Sequence, residues 1–133
     1  GVKQSAGDMK LFADLMIMAD ADHLIFSAVD ALLYSSYTLG AHGAIAAILA
    51  AAPGPSVALW EATASGQFDK AVDLHERILQ LWNSINGPNL PACTKYAQTV
   101  QQIQAGLPRR PMTMPEPSQQ SIIRSALEGL GLI

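Results

Sequence analysis

Cysteine, charge and aromatic side chains are all scarce in this chain of 133 residues. The single Cys93 excludes an internal disulfide and leaves no second thiolate for a sulfur-rich metal site, so the cytoplasm, a reducing compartment, is the simplest expectation. Charged residues make up 14% of the chain, and 8 basic against 11 acidic side chains give a net charge of −3. That balance supplies no electrostatic footprint for nucleic acid or an anionic membrane surface. Long apolar runs are missing too: the most apolar stretch, from Gly43 to Ala52, is stopped by Pro53-Gly54-Pro55, well short of the roughly 20 residues that span a bilayer. No basic leader and no initiator methionine precede Gly1, which reads as a cut N-terminus rather than a signal peptide.

What is present is apolar side chains, 50% of the total, enough for one core in a chain of this length and not for two full domains. Their arrangement is a repeated step. Val2 lies in a short strand ending at Lys3, after which Asp8 is placed to cap a helix carrying Leu11, Phe12, Leu15 and Met16 at spacings of three and four. His23-Leu24-Ile25-Phe26 has strand length and leads into a helix through Ala31, Leu32 and Tyr34 that ends at Gly40. Gly43-Ala44-Ile45-Ala46 is a third strand, leading across Pro53-Gly54-Pro55 into a helix over Val57 to Ala64. Short runs apolar on both faces, alternating with helices, predict an α/β fold with a parallel sheet under helices.

From about Gln67 the pattern becomes helical throughout. Phe68, Ala71, Val72, His75, Ile78, Leu79 and Trp82 predict one stripe of a long helix broken at Gly87-Pro88. A helix over Cys93 to Gln104 follows, then an irregular segment from Pro108 to Pro117 and a last helix carrying Ile122, Ile123, Ala126, Leu127 and Leu130. The expected organisation is residues 1–65 as three β/α units and 66–133 as an all-helical domain.

Few side chains suggest chemistry by pattern alone. His23, His42 and His75 lack the i, i+4 spacing or adjacent carboxylates of a zinc site, so no metal is expected. Cys93 has no basic neighbour to make it a thiolate and reads as a packing residue. Gly40-Ala41-His42-Gly43 precedes a strand rather than following one, which is the wrong order for a phosphate loop. Lys3 stands where a strand ends, the position at which parallel α/β barrels gather reactive groups. A lysine amine attacks a ketone once some of it is unprotonated, whereas a lysine of no special context is a solvated charge.

The context is Gly1-Val2-Lys3-Gln4-Ser5-Ala6-Gly7-Asp8, which resembles the Schiff-base lysine motif of the dihydrodipicolinate synthase and N-acetylneuraminate lyase family of class I aldolases. The likeness continues through Ser27-Ala28-Val29-Asp30, Gly40-Ala41-His42-Gly43-Ala44-Ile45, Pro53, Asn89-Leu90-Pro91 with Lys95, Arg110-Pro111-Met112 and Leu127-Glu128-Gly129-Leu130-Gly131-Leu132, in the family's order. It implies the C-terminal half of a (β/α)8 TIM barrel, its last three β/α units, followed by a helical extension; a whole barrel takes about 250 residues.

The resemblance also implies roles. Lys3 is the amine that condenses with pyruvate or another 2-oxo acid, with no cofactor and no metal. Ser5 lies near the substrate; Ala28 replaces a glycine whose backbone faces the pocket; Ile45 matches a position whose carbonyl lies near the lysine. Asp30 matches an acid that contacts substrate hydroxyls in the lyase branch, and read from the residues alone it is equally the cap of its own helix. Ala31 stands where that branch has a second acid, and Ala46 and Ala50 where many members have Ser and Asn, which implies a more apolar pocket and argues against a polyhydroxylated sugar acid. The proton-relay tyrosine and the carboxylate-binding loop belong to the half not represented here; Tyr34, Tyr37 and Tyr96 match neither. A homo-oligomer is expected. The rival expectation is a non-enzymatic helical oligomerisation module that keeps the ancestral sequence and pairs through its free sheet edge.

Overall fold

The computed structural model describes residues 1–133. Three short strands, β1 (Val2–Gln4), β2 (Ile25–Ser27) and β3 (Gly43–Ala44), form one sheet in the order β1-β2-β3 with both pairings parallel. The helices are α1 (Met9–Met18), α2 (Leu33–Thr38, entered through a 3-10 turn at Asp30–Leu32), α3 (Ile48–Ala51), α4 (Pro53–Ala64), α5 (Phe68–Ile85), α6 (Leu90–Val100) and α7 (Pro117–Gly129). None of them is long and apolar enough to cross a membrane.

The first two steps follow the apolar pattern. Asp8 caps α1, its Oδ1 accepting from the Lys10 and Leu11 amides at 2.8 and 3.2 Å, which satisfies two of the donors that a helix start leaves free. Phe12 drives the helix into the core, whereas Leu11, from the same expected stripe, stays exposed. Gly40 closes the second step with φ +95°, a left-handed turn that a side chain would resist.

The third step departs from expectation. The strand stops at Ala44 instead of Ala46, and the alanine-rich run that follows makes the separate short helix α3. Alanine is the best helix former and offers no contrast between faces, so periodicity does not reveal this turn. Pro53 is not a link outside the next helix; it opens α4 at the first helical position, where its missing N–H costs nothing.

In α5 the buried face is rotated from the expected stripe. Ala71, Ile78, Leu81 and Ile85 are fully buried, while Phe68 and Val72 face solvent. Ala71, Leu74, Ile78, Leu81 and Ile85 repeat at threes and fours and pack against α4 and α7. Two apolar ribs run side by side on this helix, and the fold buries the one containing Leu81 and Ile85. In the tail, α6 starts at Leu90 rather than Cys93, and α7 starts at Pro117, again a proline in the first turn.

One hydrophobic cluster of 19 buried residues runs from Phe12 and Ile25 through Leu59, Ile78 and Leu81 to Ile123 and Leu130. At about 1.5–3 kcal/mol per buried large aliphatic side chain, it joins the tail to the sheet layer. Two amides add a polar tie: Gln98 Nε2 donates to the Ala50 carbonyl at 3.0 Å, and Gln101 Nε2 to the Ala51 carbonyl at 2.8 Å. They satisfy carbonyls at the end of α3 that have no partner within that helix.

The sheet is covered on one face only. Side chains alternate along a strand, so the register places Gln4, Ser27 and Ala44 in one row and Lys3, Phe26 and Gly43 in the next, on opposite faces. Ile25, Ser27 and Gln4 are buried under the helices. The other face, bearing Lys3, is open.

Candidate active site

All five residues singled out above sit at the carboxyl ends of the strands. Lys3 is the penultimate residue of β1 and Ser5 follows it; Ala28 follows β2, with Asp30 opening the 3-10 turn; Ile45 follows β3. Parallel strands point the same way, so the topology gathers these loops on one rim.

Lys3 is exposed on the open face, in register with Phe26, which in turn pairs with Gly43. A Cβ at Gly43 would stand 3.3 Å from the Phe26 ring, and one at Gly1 would stand 3.3 Å from its far edge. The two glycines thus leave room for an aromatic ring across the open face beside Lys3. Lys3 belongs to neither of the ion pairs that lysine and arginine form in the chain, which join Lys10 to Asp14 and Arg77 to Asp73. Ser5 is exposed, Ala28 half-buried and Ile45 51% exposed. Gln4, next to the lysine, turns to the helix face, where its Nε2 is buried without a hydrogen-bond partner.

Asp30 departs from the expected cap of its own helix. It is buried and makes no cap to its own helical turn, whose side-chain cap is absent. Instead its Oδ1 accepts from the Ile48 amide, 18 residues away, at 2.7 Å. The aspartate of the β2 loop therefore caps α3, a link that sequence reading missed because the donor is a distant backbone group. Close by, the Ile45 amide donates to the Ser27 carbonyl at 2.8 Å.

Other titratable groups lie away from the rim. Tyr37 is buried, which pushes its pKa up to about 12. His75 is held below the usual histidine range by burial, partly offset by Glu76, and its ring lies 5.7 Å from that of Tyr34. Burial also raises the Cys93 thiol, as expected of a packing residue and not of a nucleophile. A cavity of about 360 Å³, lined by residues including Tyr37, His42, Leu49 and Trp60, runs along the unpaired edge of β3.

A parallel sheet with helices on one face and a lysine among the loops of its carboxyl rim defines an α/β chain of barrel type. The model of the dihydrodipicolinate synthetase family matches residues 1–130, and the chain belongs to that family. It is 28% identical over 130 residues to a 4-hydroxy-tetrahydrodipicolinate synthase of Listeria innocua, covering 98% of this chain and 44% of the relative. A crystal structure of dihydrodipicolinate synthase superposes with TM-score 0.83 at 25% identity, over 99% of this chain and 45% of that one. N-acetylneuraminate lyase from Fusobacterium nucleatum, in complex with pyruvate, superposes with TM-score 0.82 at 25% identity, over 96% and 43%. The solved relatives are TIM-barrel proteins, and the chain spans slightly less than half the length of those it matches.

Proposed function

We propose that this chain is the Schiff-base half of a lyase, in which Lys3 condenses with the keto carbon of pyruvate or a related 2-oxo acid. The observation that carries the reading is the placement of Lys3: exposed on the uncovered sheet face, at the carboxyl end of β1, among the loops that carry Ser5, Ala28 and Ile45. A pyruvate complex in a structurally similar lyase supports the choice of keto acid.

In this reading residues 1–65 supply the last three β/α units of a barrel and 66–133 its helical extension, and the protein works in the cytoplasm as a homo-oligomer. The Lys3 Nζ lone pair adds to the keto carbon, a C–N bond forms, and the former carbonyl oxygen leaves as water. The protonated imine then draws electrons from the adjacent carbon, so that a proton or a carbon–carbon bond there is broken at lower cost. No metal enters this chemistry. The 133 residues carry the amine, while the relay tyrosine and the carboxylate loop implied by the family belong to the other half. Imine formation is the step assigned to Lys3, and positioned proton transfer, which commonly supplies about 10²–10⁴-fold, is assigned to the relay tyrosine.

Cyanoborohydride reduction in the presence of pyruvate tests this. The expected result is a single covalent adduct, mapped to Lys3 by peptide mass spectrometry and absent in Lys3→Ala and Lys3→Arg. Equal labelling of other lysines, or persistence of the adduct in Lys3→Ala, overturns the assignment.

A further inference from the structure

Asp30 lies in the loop after β2, and its Oδ1 is already engaged by the amide of Ile48 at 2.7 Å. Between Ala44, the last residue of β3, and Ile48, the first of α3, lie only Ile45, Ala46 and Ala47. That segment is fastened to the β2 side at both ends: the Ile45 amide on the Ser27 carbonyl at 2.8 Å, and the Ile48 amide on Asp30. Asp30 is buried, where a hydrogen bond to a backbone amide is worth more than in water. Without it the Ile48 amide has no acceptor in the fold, because the N–H at the first position of a helix has no intrahelical carbonyl to reach.

We infer that Asp30 is a positioning residue: by capping α3 it holds the Ile45–Ala47 turn against the tip of β2, and so fixes the backbone at one side of the rim that Lys3 faces. The inference rests on the reading of Lys3 as the imine-forming amine. It assigns Asp30 an indirect task, carried through the β3 loop by the Oδ1 that binds the Ile48 amide. The carboxylate is needed as an oxygen acceptor, and its charge is secondary.

Two substitutions separate these roles. Asp30→Asn keeps an oxygen at the acceptor position; Asp30→Ala removes it. Cyanoborohydride trapping of pyruvate on Lys3, followed over a range of pyruvate concentrations, is expected to slow at least about tenfold at low pyruvate in Asp30→Ala and to stay close to the native rate in Asp30→Asn. Amide hydrogen exchange in the same proteins is expected to accelerate at both Ile48 and Ile45 in Asp30→Ala, and to remain protected in Asp30→Asn. Trapping in Asp30→Asn as slow as in Asp30→Ala, with Ile48 still protected, would mean that the charge acts on the ligand and would overturn the inference. Unaltered trapping in Asp30→Ala overturns it as well, as does unaltered exchange at Ile45. Absence of an adduct in the unmodified chain rejects the reading of Lys3 instead; the exchange of Ile45 then decides by itself whether the cap holds the turn.

Discussion

Ile25 and His42 grip each other twice: the His42 amide donates to the Ile25 carbonyl at 2.9 Å, and the Ile25 amide donates to His42 Nδ1 at 3.0 Å. The ring nitrogen takes the place of a strand carbonyl and extends the β2–β3 pairing backwards beyond a strand only two residues long. As an acceptor, Nδ1 carries no proton, so the neutral ring bears its hydrogen on Nε2. Replacing His42 with Ala leaves the part-buried Ile25 amide unpaired and is expected to cost about 1–3 kcal/mol. A lower urea midpoint with unchanged slope checks this; an unaltered midpoint rejects a structural role for the ring.

On α5 the two apolar ribs give opposite forecasts. Leu81→Ala empties a site buried to 0% exposure and is expected to cost about 2–5 kcal/mol. Phe68→Ala, at a position 55% exposed, is expected to cost within about 1 kcal/mol. Equilibrium denaturation of both variants reads the difference directly. Equal losses would show that Phe68 is covered in solution.

Stability is expected to fall on both sides of neutrality, for two separate reasons. His75 has a folded-state pKa below its ordinary value of 6.5 because burial disfavours the cation. The unfolded chain therefore binds the proton first, and the contribution of His75, complete above about pH 6.5, is lost as the pH drops below that value. Tyr37, raised to about 12, is the alkaline counterpart: the unfolded phenol ionises near pH 10, so its contribution is complete below pH 10 and lost between 10 and 12. Urea midpoints measured from pH 5 to 11 should show His75→Gln flattening the acid limb and Tyr37→Phe the alkaline one. A limb left unchanged by its variant assigns that slope to other groups.

Cys93 has no exposed surface, and burial raises its thiol pKa, so both access and thiolate population are low. Its reaction with an aromatic disulfide reagent is expected to be slow in the native chain and rapid in denaturant. Rapid labelling of the native chain would indicate local opening of α6.

The parts legible in the sequence were those with a local cause. The Asp8 cap acts over three residues, Gly40 over one turn, and the first two strand-to-helix steps are bounded by their own apolar runs. The parts that escaped it depend on distance or on a choice between equivalents. α3 is hidden in a run of alanines that looks alike as strand or helix, and which rib of α5 is buried is decided by what α4 and α7 present to it. The Asp30–Ile48 bond spans 18 residues and uses a backbone donor, so no side-chain pattern announces it. For the rim the division is similar: Lys3 stands out from where the first strand ends, Ser5, Ala28 and Ile45 are singled out by the family resemblance, and the engagement of Asp30 is announced by neither.

The glutamines at the end of α6, Gln98 within it and Gln101 capping it, give the last third of the chain a mechanical consequence. Because Gln98 and Gln101 anchor the far end of the four-residue helix α3, a proteolytic nick before Leu90 would slacken a bracket whose other end is bolted to the β2 loop. Damage to the tail would then register at the mouth of the sheet, with no residue there having been touched.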